Sequence, residues 1–205
     1  HVPYEDVYYS SRFLEGAILV YLKKVGIVAP NKVRANRDLM GGNDKFAGAY
    51  VQDPQKGKHE WVYDLDITSM YPSIIMSLNI SPETKLGKLD SWDVEPFLKG
   101  VDRTYTIKDK NGKESAKLTT GEFQNFLKDN NVSISSNGVL YTQDRKGLIP
   151  TLLEKWFDDR VQFRKLAKKF ADEGDKEKYS YFDRRQYIQK VVLNSLYGVL
   201  GLPIF

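Results

Sequence analysis

The chain has 205 residues, of which 41% are hydrophobic, a length and composition that suit one large or two small packed domains. Lys and Arg outnumber Asp and Glu by 31 to 27, a formal net charge of +4, so a strongly acidic protein is excluded. Without cysteine and with only His1 and His59, the chain has no disulfide or thiolate metal site, and we do not expect a zinc site.

Taken in chain order, the first half of the sequence predicts mixed structure. We expect an amphipathic helix over residues 13–25, a loop rich in basic and small residues over 30–43, strands around Tyr50 and over 61–66, and a helix ending near Leu78. The longest apolar run, residues 16–22, is too short to cross a bilayer. We therefore expect no membrane partner and an intracellular, cytoplasmic location, which is the host cytoplasm if the source is viral.

The second half predicts a small mixed region followed by a helix pair. Residues 85–142 predict a short helix over 92–98, a hairpin across Asn111-Gly112, a helix over 120–130, and strands near Val132 and Leu140. Two long antiparallel helices, 149–171 and 179–200, follow, and the polar turn 172–178 joins them. The chain contains no repeat and no low-complexity tract.

The junction around residues 61–78 is the first candidate site. Bulky and acidic residues alternate over 61–66 as in a strand, which places Asp64 and Asp66 on one face. Thr68 and Ser69 are N-cap residues, and Pro72 suits the first helical turn. Free amides at a helix start attract anions, and a neighbouring carboxylate can hold the magnesium of a polyphosphate. The junction predicts a nucleoside-triphosphate site, although a plain turn with solvent-facing aspartates would have the same spacing.

The last helix has one polar stripe. At about 100° per residue, four polar side chains fall in line, namely Gln186, Lys190, Asn194 and Tyr197. Apolar residues cover the opposite arc, which predicts a mostly buried helix with one polar ridge. Three of these residues also have an ordinary structural interpretation: Lys190 as a lysine that reaches water, Asn194 as a hydrogen-bonded buried amide, and Tyr197 as a core aromatic with a solvated hydroxyl.

The preceding helix has an apolar face that contains a basic residue. Arg160 falls inside the apolar arc and Arg164 lies one turn further along its edge. Two guanidiniums one turn apart fit a run of phosphates, which arginine binds bidentately. Residues 155–190 hold 11 basic and 7 acidic side chains, which accounts for the whole basic excess and suits a phosphate-rich partner. Solvated lysines on a soluble helix pair, and snorkelling of Arg160, would explain the same pattern.

Together these segments resemble the family B DNA polymerases, also called polymerase alpha-like. The first palm motif of that family, D-x-x-S-L-Y-P-S-I-I, is present as DITSMYPSII from Asp66, with Met70 in place of Leu. The fingers motif K-x-x-x-N-S-x-Y-G is present without departure as KVVLNSLYG from Lys190. Residues 137–165 resemble the entry into the fingers, and residues 45–54 resemble the template-contacting region with Ala49 in place of its second glycine. The sequences LNISPETKLG (78–87) and SSNGVLY (135–141) are most similar to the T-even phage branch of the family.

The resemblance implies an α+β fold: a partial polymerase palm, with an antiparallel sheet and helices, plus a two-helix antiparallel fingers unit. It implies four parts. Residues 1–44 are the end of the exonuclease-side region and a linker, 45–143 the N-terminal part of the palm with the first palm motif, 144–202 the fingers, and 203–205 the start of the return to the palm.

The resemblance also implies roles for individual residues. The Asp66 carboxylate and the backbone carbonyl of Ile67 are expected to bind two Mg²⁺ ions, and the Tyr71 ring to stack under the deoxyribose. Lys190 is also the expected proton donor to pyrophosphate. The nucleotide-binding residues are expected to be Ser69, Met70, Tyr71, Arg160, Arg164, Lys190, Asn194 and Tyr197, and the template contacts Gly48, Ala49 and Tyr50. Tyr197 is expected beneath the nascent base pair.

The implied function is that of a fragment of a DNA-directed DNA polymerase. The partners would be DNA primer-template, deoxynucleoside triphosphates, the remaining polymerase domains (exonuclease, rest of the palm, thumb) and a sliding clamp as a further candidate. The second metal-binding aspartate motif of the family has no counterpart in these residues, so we expect little or no activity from the isolated fragment. The alternatives are a non-catalytic nucleic-acid-binding or scaffold segment with a polymerase-like fold, and a protein-primed polymerase.

Overall fold

The computed structural model describes residues 3–29 and 50–200. After a short 3₁₀ helix, the described residues form six α-helices, α1 (Ser10–Lys24), α2 (Met70–Leu78), α3 (Val94–Leu98), α4 (Thr120–Asp129), α5 (Leu148–Asp172) and α6 (Lys176–Leu200). Five strands lie between α2 and α5: β1 (Lys85–Asp90), β2 (Thr104–Asp109), β3 (Glu114–Thr119), β4 (Val132–Ile134) and β5 (Val139–Thr142). The predicted loop over 30–43 lies outside the described residues.

The five strands form one antiparallel sheet in the order β3-β2-β1-β5-β4. The predicted hairpin across Asn111-Gly112 joins β2 to β3; Asp109 Oδ1 accepts the N–H groups of Asn111 and Lys113, and Gly112 has φ 80°. Strand β1 lies at the centre but was not predicted, because its sequence KLGKLD has only two apolar residues. The α+β architecture expected from the sequence is confirmed.

One face of the sheet is covered by α4 through an aromatic core. The fully buried Phe123 of α4 lies 5.2 Å from the Tyr105 ring of β2, centroid to centroid, and Leu89 and Leu140 complete the cluster. Thr119 and Glu122 form a capping box that starts α4, since each side chain hydrogen-bonds the backbone of the other. This core holds α4 against the sheet.

The second core joins four helices. Buried residues from α1, α2, α5 and α6 pack together, namely Leu14, Ile75, Ile149, Leu153, Leu193, Leu196 and Val199. The predicted long helices are confirmed, and α5 and α6 run antiparallel with ring contacts near their tip. There the Arg185 guanidinium lies 5.3 Å from the Phe163 centroid and 5.1 Å from that of Tyr181, a pair of cation–π contacts that link the helices.

Two sequence-based expectations are wrong. The predicted strands around Tyr50 and over 61–66 are absent from the described residues, because this extended segment has no backbone partner there, and its apolar side chains are exposed on both faces. The predicted mostly buried helix is buried only near its C-terminal end: Ile188 and Val191 of α6 are exposed. The reason is that α1 and α2 join α5 only around the last turns of α6.

Candidate nucleotide site

The start of α2 leaves backbone donors free. Ser69 occupies the N-cap position but has φ 50° and ψ 50° and makes no side-chain cap, so the predicted capping role of its hydroxyl is wrong. A capping side chain needs an extended backbone at this position, whereas Ser69 is left-handed. Within the described part of the chain, the N–H groups of Met70 and Tyr71 have no acceptor, and Pro72 has no N–H. The first turn of α2 is therefore a favourable place for an anion.

The two candidate motifs meet through a pair of tyrosines. The rings of Tyr71, in the first turn of α2, and Tyr197, near the end of α6, are stacked with centroids 4.0 Å apart and an interplanar angle of 8°. Both residues remain partly exposed, Tyr71 at 37% and Tyr197 at 43%. The helix start of the first motif and the helix end of the second thus border the same patch of surface.

The register of the helix pair places Arg160 and Lys190 at the same height along the two helices. Leu153 of α5 and Leu196 of α6 pack in one cluster, and further towards the tip Phe163 contacts Arg185. Because the helices are antiparallel, each step up α5 matches a step back along α6, which brings Arg160 and Lys190 to the same height. Lys190 and Asn194 are exposed, as the predicted polar ridge requires, and Gln186 is half-buried with its amide bonded to Asp183.

Arg160 is in an unusual environment. Its Nε is buried and has no hydrogen-bond partner among the described residues. Burial, and secondly the like charge of Arg164, lowers the pKa of Arg160. Arginine still remains charged near neutral pH. A bound phosphate would supply the missing acceptor and neutralise the repulsion, whereas a purely snorkelling side chain would keep Nε in water.

The metal-binding part of the site is incomplete in the described residues. Asp66 and Ile67 are exposed in the extended segment before α2, and Asp64 is exposed beside them. No group of three or more Asp, Glu or His side chains that could hold a metal occurs within 3–29 and 50–200. One carboxylate and one backbone carbonyl leave most of the roughly six ligand positions of Mg²⁺ unfilled. These residues therefore fit only part of a divalent-cation site.

Of the three predicted template contacts, the structure describes only Tyr50. Gly48 and Ala49 lie outside the described residues, and Tyr50 is almost fully exposed. Two cavities of about 330 and 370 Å³ lie around the sheet and α4, and neither is lined by a predicted site residue.

The sequence prediction missed the residues that join the end of α2 to the start of α5, above all Asn79 and Glu83. In the sequence, this connection is indicated only by Asn79 at the end of α2 and Gly147 before the start of α5.

Comparisons with known proteins show which family this chain resembles. The family model "DNA polymerase family B" matches residues 7–203. The DNA polymerase of Pyrococcus glycovorans is 28% identical over 175 residues, which cover 85% of this chain and 17% of that protein. The DNA polymerase of Archaeoglobus fulgidus is 26% identical over 202 residues, covering 98% and 20% respectively. The DNA-directed DNA polymerase of Escherichia phage RB69 is 29% identical over 119 residues, covering 58% and 11%.

A solved structure gives the same result at the level of the fold. The family B DNA polymerase of the hyperthermophilic archaeon Pyrobaculum calidifontis aligns with a TM-score of 0.57 and 26% identity, over 95% of this chain and 20% of that one. The chain thus spans a fifth or less of the length of these relatives. Archaeal and phage relatives have similar identities, so the T-even branch stays a prediction.

Two further findings complete the comparison. No helix in the described part of the chain has the length and apolarity needed to cross a membrane. The family in general works with a divalent metal, which agrees with a carboxylate beside a free helix start. Because the family model matches residues 7–203, nearly the whole chain, the chain belongs to DNA polymerase family B.

Proposed function

We propose that this chain is the palm and fingers part of a DNA-directed DNA polymerase, which adds deoxynucleoside triphosphates to a primer 3'-end on a DNA template inside the cell. The observation that carries this proposal is the stack of Tyr71 on Tyr197, because it joins the palm motif and the fingers motif at one surface. A scaffold that had lost the chemistry would have no need to keep the free donors of the α2 start beside this ring pair.

The sugar and base would be held by the tyrosine pair. In this proposal the exposed side of the Tyr71 ring lies under the deoxyribose, where a 2'-hydroxyl would clash with it. Tyr197, stacked on the other side, extends the aromatic surface beneath the nascent base pair. Discrimination against ribonucleotides would then come from a steric clash.

The triphosphate would be bound from two sides. The free N–H groups of Met70 and Tyr71, with the adjacent Ser69, would contact the phosphates from the helix start. Arg160 and Arg164 would bind the phosphates from α5, and Lys190 and Asn194 would bind them from α6. The unpartnered Nε of Arg160 supports this role, since a phosphate oxygen would satisfy it.

The proposed chemistry is nucleotidyl transfer with Mg²⁺. When bound, two Mg²⁺ ions would lower the pKa of the primer hydroxyl and stabilise the leaving pyrophosphate; the Asp66 carboxylate and the Ile67 carbonyl would supply ligands. Lys190 would give its ammonium proton to the departing pyrophosphate oxygen, a contribution of about 10²- to 10⁴-fold in rate. Further carboxylate ligands would come from another part of the polymerase.

The proposed partners follow from the same activity. DNA primer-template would lie across the exposed segment that contains Tyr50, and the exonuclease domain, the rest of the palm and the thumb would complete the enzyme. The apolar side chains exposed over 61–67, with no backbone partner in the described residues, suit burial against such a domain. A sliding clamp is a further candidate partner of the complete enzyme.

Primer extension by the complete polymerase that contains this segment tests the proposal. We expect incorporation of the correct dNTP by the unmodified protein and its loss in Asp66→Ala. Asp64→Ala is the matched control, because Asp64 is an equally exposed carboxylate two residues away and should be dispensable. Absence of incorporation by the complete protein would support the scaffold alternative instead. The isolated segment should show little or no incorporation, because one carboxylate cannot fix two Mg²⁺ ions.

A further inference from the structure

A short loop between α2 and β1, residues 79–84, connects the palm motif to the base of the fingers. Asn79 ends α2 in the left-handed conformation and is only 3% exposed. Its Nδ2 donates to the carbonyls of Thr142 and Arg145 at 2.6 and 2.8 Å, and its Oδ1 accepts the N–H of Gly147 at 2.8 Å. A single buried amide therefore ties the end of α2 to the residue that precedes α5.

Glu83 of the same loop caps the start of α5. Its Oε1 accepts the N–H of Leu148, the first residue of α5, and its Oε2 accepts the Ser81 hydroxyl at 2.7 Å. Ser81 Oγ in turn accepts the N–H of Ile149 at 3.4 Å. Burial alone would raise the pKa of Glu83, but these hydrogen bonds and the charge of Arg145 outweigh it, so the pKa is lowered. A negative charge is thus held at a helix N-terminus, where it is favoured.

The loop and the helix start are also in close steric contact. A Cβ on Gly147 would lie 2.6 Å from Ser81 Cβ and 3.1 Å from Thr84 Cγ2. Thr84 is fully buried, and its hydroxyl donates within the loop to the carbonyls of Asn79 and Ser81. The loop and the start of α5 are therefore packed directly against each other in this conformation.

From these contacts we infer that Glu83, together with Asn79 and Ser81, is a positioning residue for the phosphate-binding arginines of α5. Arg160 lies 12 residues beyond Leu148, or about 18 Å along a helix that rises 1.5 Å per residue. A tilt of about 5° at the base of α5 would therefore displace Arg160 by roughly 1.5 Å. Displacements of about 1 Å are enough to lose much of the benefit of a well-placed group.

This inference rests on the proposed function, because it concerns how the nucleotide is held. Tyr71 and Arg160 lie on different helices, α2 and α5, and the 79–84 loop joins the end of one to the start of the other. Loosening the loop should change the distance between the sugar-binding ring and the phosphate-binding guanidinium. It should affect the chemical step less, because Asp66 is not bonded to the loop and α6, which carries Lys190, is also held by its own contacts with α1 and α2.

Single-turnover primer extension in the complete polymerase tests the inference, because it separates the nucleotide dissociation constant from the rate at saturation. We expect Glu83→Ala to weaken binding of the correct dNTP by roughly threefold or more and to change the saturated rate by less than about twofold. Glu83→Gln, which keeps an acceptor for Leu148 N–H, should recover most of the affinity. Ser81→Ala, a milder change, should shift affinity in the same direction and serves if Glu83→Ala does not fold.

Glu122→Ala is the matched control, because Glu122 also caps a helix, α4, but its hydrogen bonds go to Thr119 and not to α2 or α5. A purely structural effect of losing a helix cap would make Glu122→Ala and Glu83→Ala behave alike, and that result would overturn the inference. An unchanged dissociation constant in folded Glu83→Ala would overturn it as well. If the unmodified protein extends no primer, the proposed function fails and this inference with it; if it does extend primers, only the inference is at stake.

Discussion

The stacked tyrosines give the sharpest prediction about substrate selection. Removing the Tyr197 ring in Tyr197→Ala should reduce discrimination between dNTP and rNTP, although Tyr197 need not touch the 2'-position itself. The reason is that the Tyr71 ring is held parallel to Tyr197 at 4.0 Å and would be free to rotate without it. Tyr197→Phe keeps the stack and should keep the discrimination of the unmodified enzyme.

The size of the effect follows from the strength of the ring contact. An aromatic pair contributes about 0.5–1.5 kcal/mol beyond the area it buries. If all of that free energy serves to hold Tyr71 in place, the loss of discrimination is roughly 2- to 12-fold. Since both rings are more than one third exposed, we expect values at the lower end.

The assay is single-turnover primer extension with a matched dNTP and rNTP, which gives the ratio of their specificity constants. Tyr71→Ala should remove most of the discrimination, and the double variant should be no worse than Tyr71→Ala alone, because Tyr197 acts through Tyr71. Equal losses that add in the double variant would show that the two rings act independently. An unchanged ratio in Tyr197→Ala would refute the reasoning outright.

The remaining predictions concern the fingers and the 79–84 loop. Lys190→Ala should slow the chemical step by about 10²- to 10⁴-fold, far more than it weakens nucleotide binding, and a normal single-turnover rate would contradict its role as proton donor. Arg160→Ala should mainly raise the nucleotide dissociation constant, whereas Lys165→Ala, an exposed basic residue one turn away, should not; equal effects would return Arg160 to an ordinary surface role. Because the pKa of Glu83 is lowered in the folded state, its stabilisation is present above the ordinary value of 4.5 and is lost as the pH falls through the folded value. The urea midpoint of the unmodified protein should therefore fall more between neutral and acidic pH than that of Glu83→Gln.

Local signals in the sequence were sufficient for most helices. The capping box of Thr119 and Glu122, the Asn111-Gly112 turn and the apolar faces of α5 and α6 all act within a few residues, so they can be read without a fold. The Asp66 junction and the polar stripe of α6 were visible as residue patterns, and the family resemblance identified them as motifs. That both motifs border one nucleotide was an implication of the resemblance, and the stack of Tyr71 on Tyr197 adds a direct contact between them that was not predicted.

What the sequence did not predict depends on distant partners. Strand β1 is defined by its neighbours β2 and β5, and its own pattern is weak. The bonds from Asn79 to Arg145 and Gly147 join residues 66 and 68 positions apart, so no local pattern indicates them. The opposite error occurred over 61–66, where a strand-like alternation is present but the described residues offer no strand to pair with it.

The candidate site has two halves, which differ in how many of their packing contacts come from the described residues. The phosphate-binding half, at the start of α2 and on α5 and α6, rests on a core that the described residues complete among themselves, including Ile75, Leu153 and Leu196. The metal-binding half rests on the extended segment before α2, where the described residues offer Asp66 neither a cluster of three or more ligand side chains nor a neighbouring strand. Nucleotide binding and catalysis should therefore respond differently to the rest of the polymerase. In the proposed site, contacts with triphosphate would depend on helices α2, α5 and α6, whereas chemistry would depend on a further element that pairs with residues 61–67 and brings another carboxylate to Asp66.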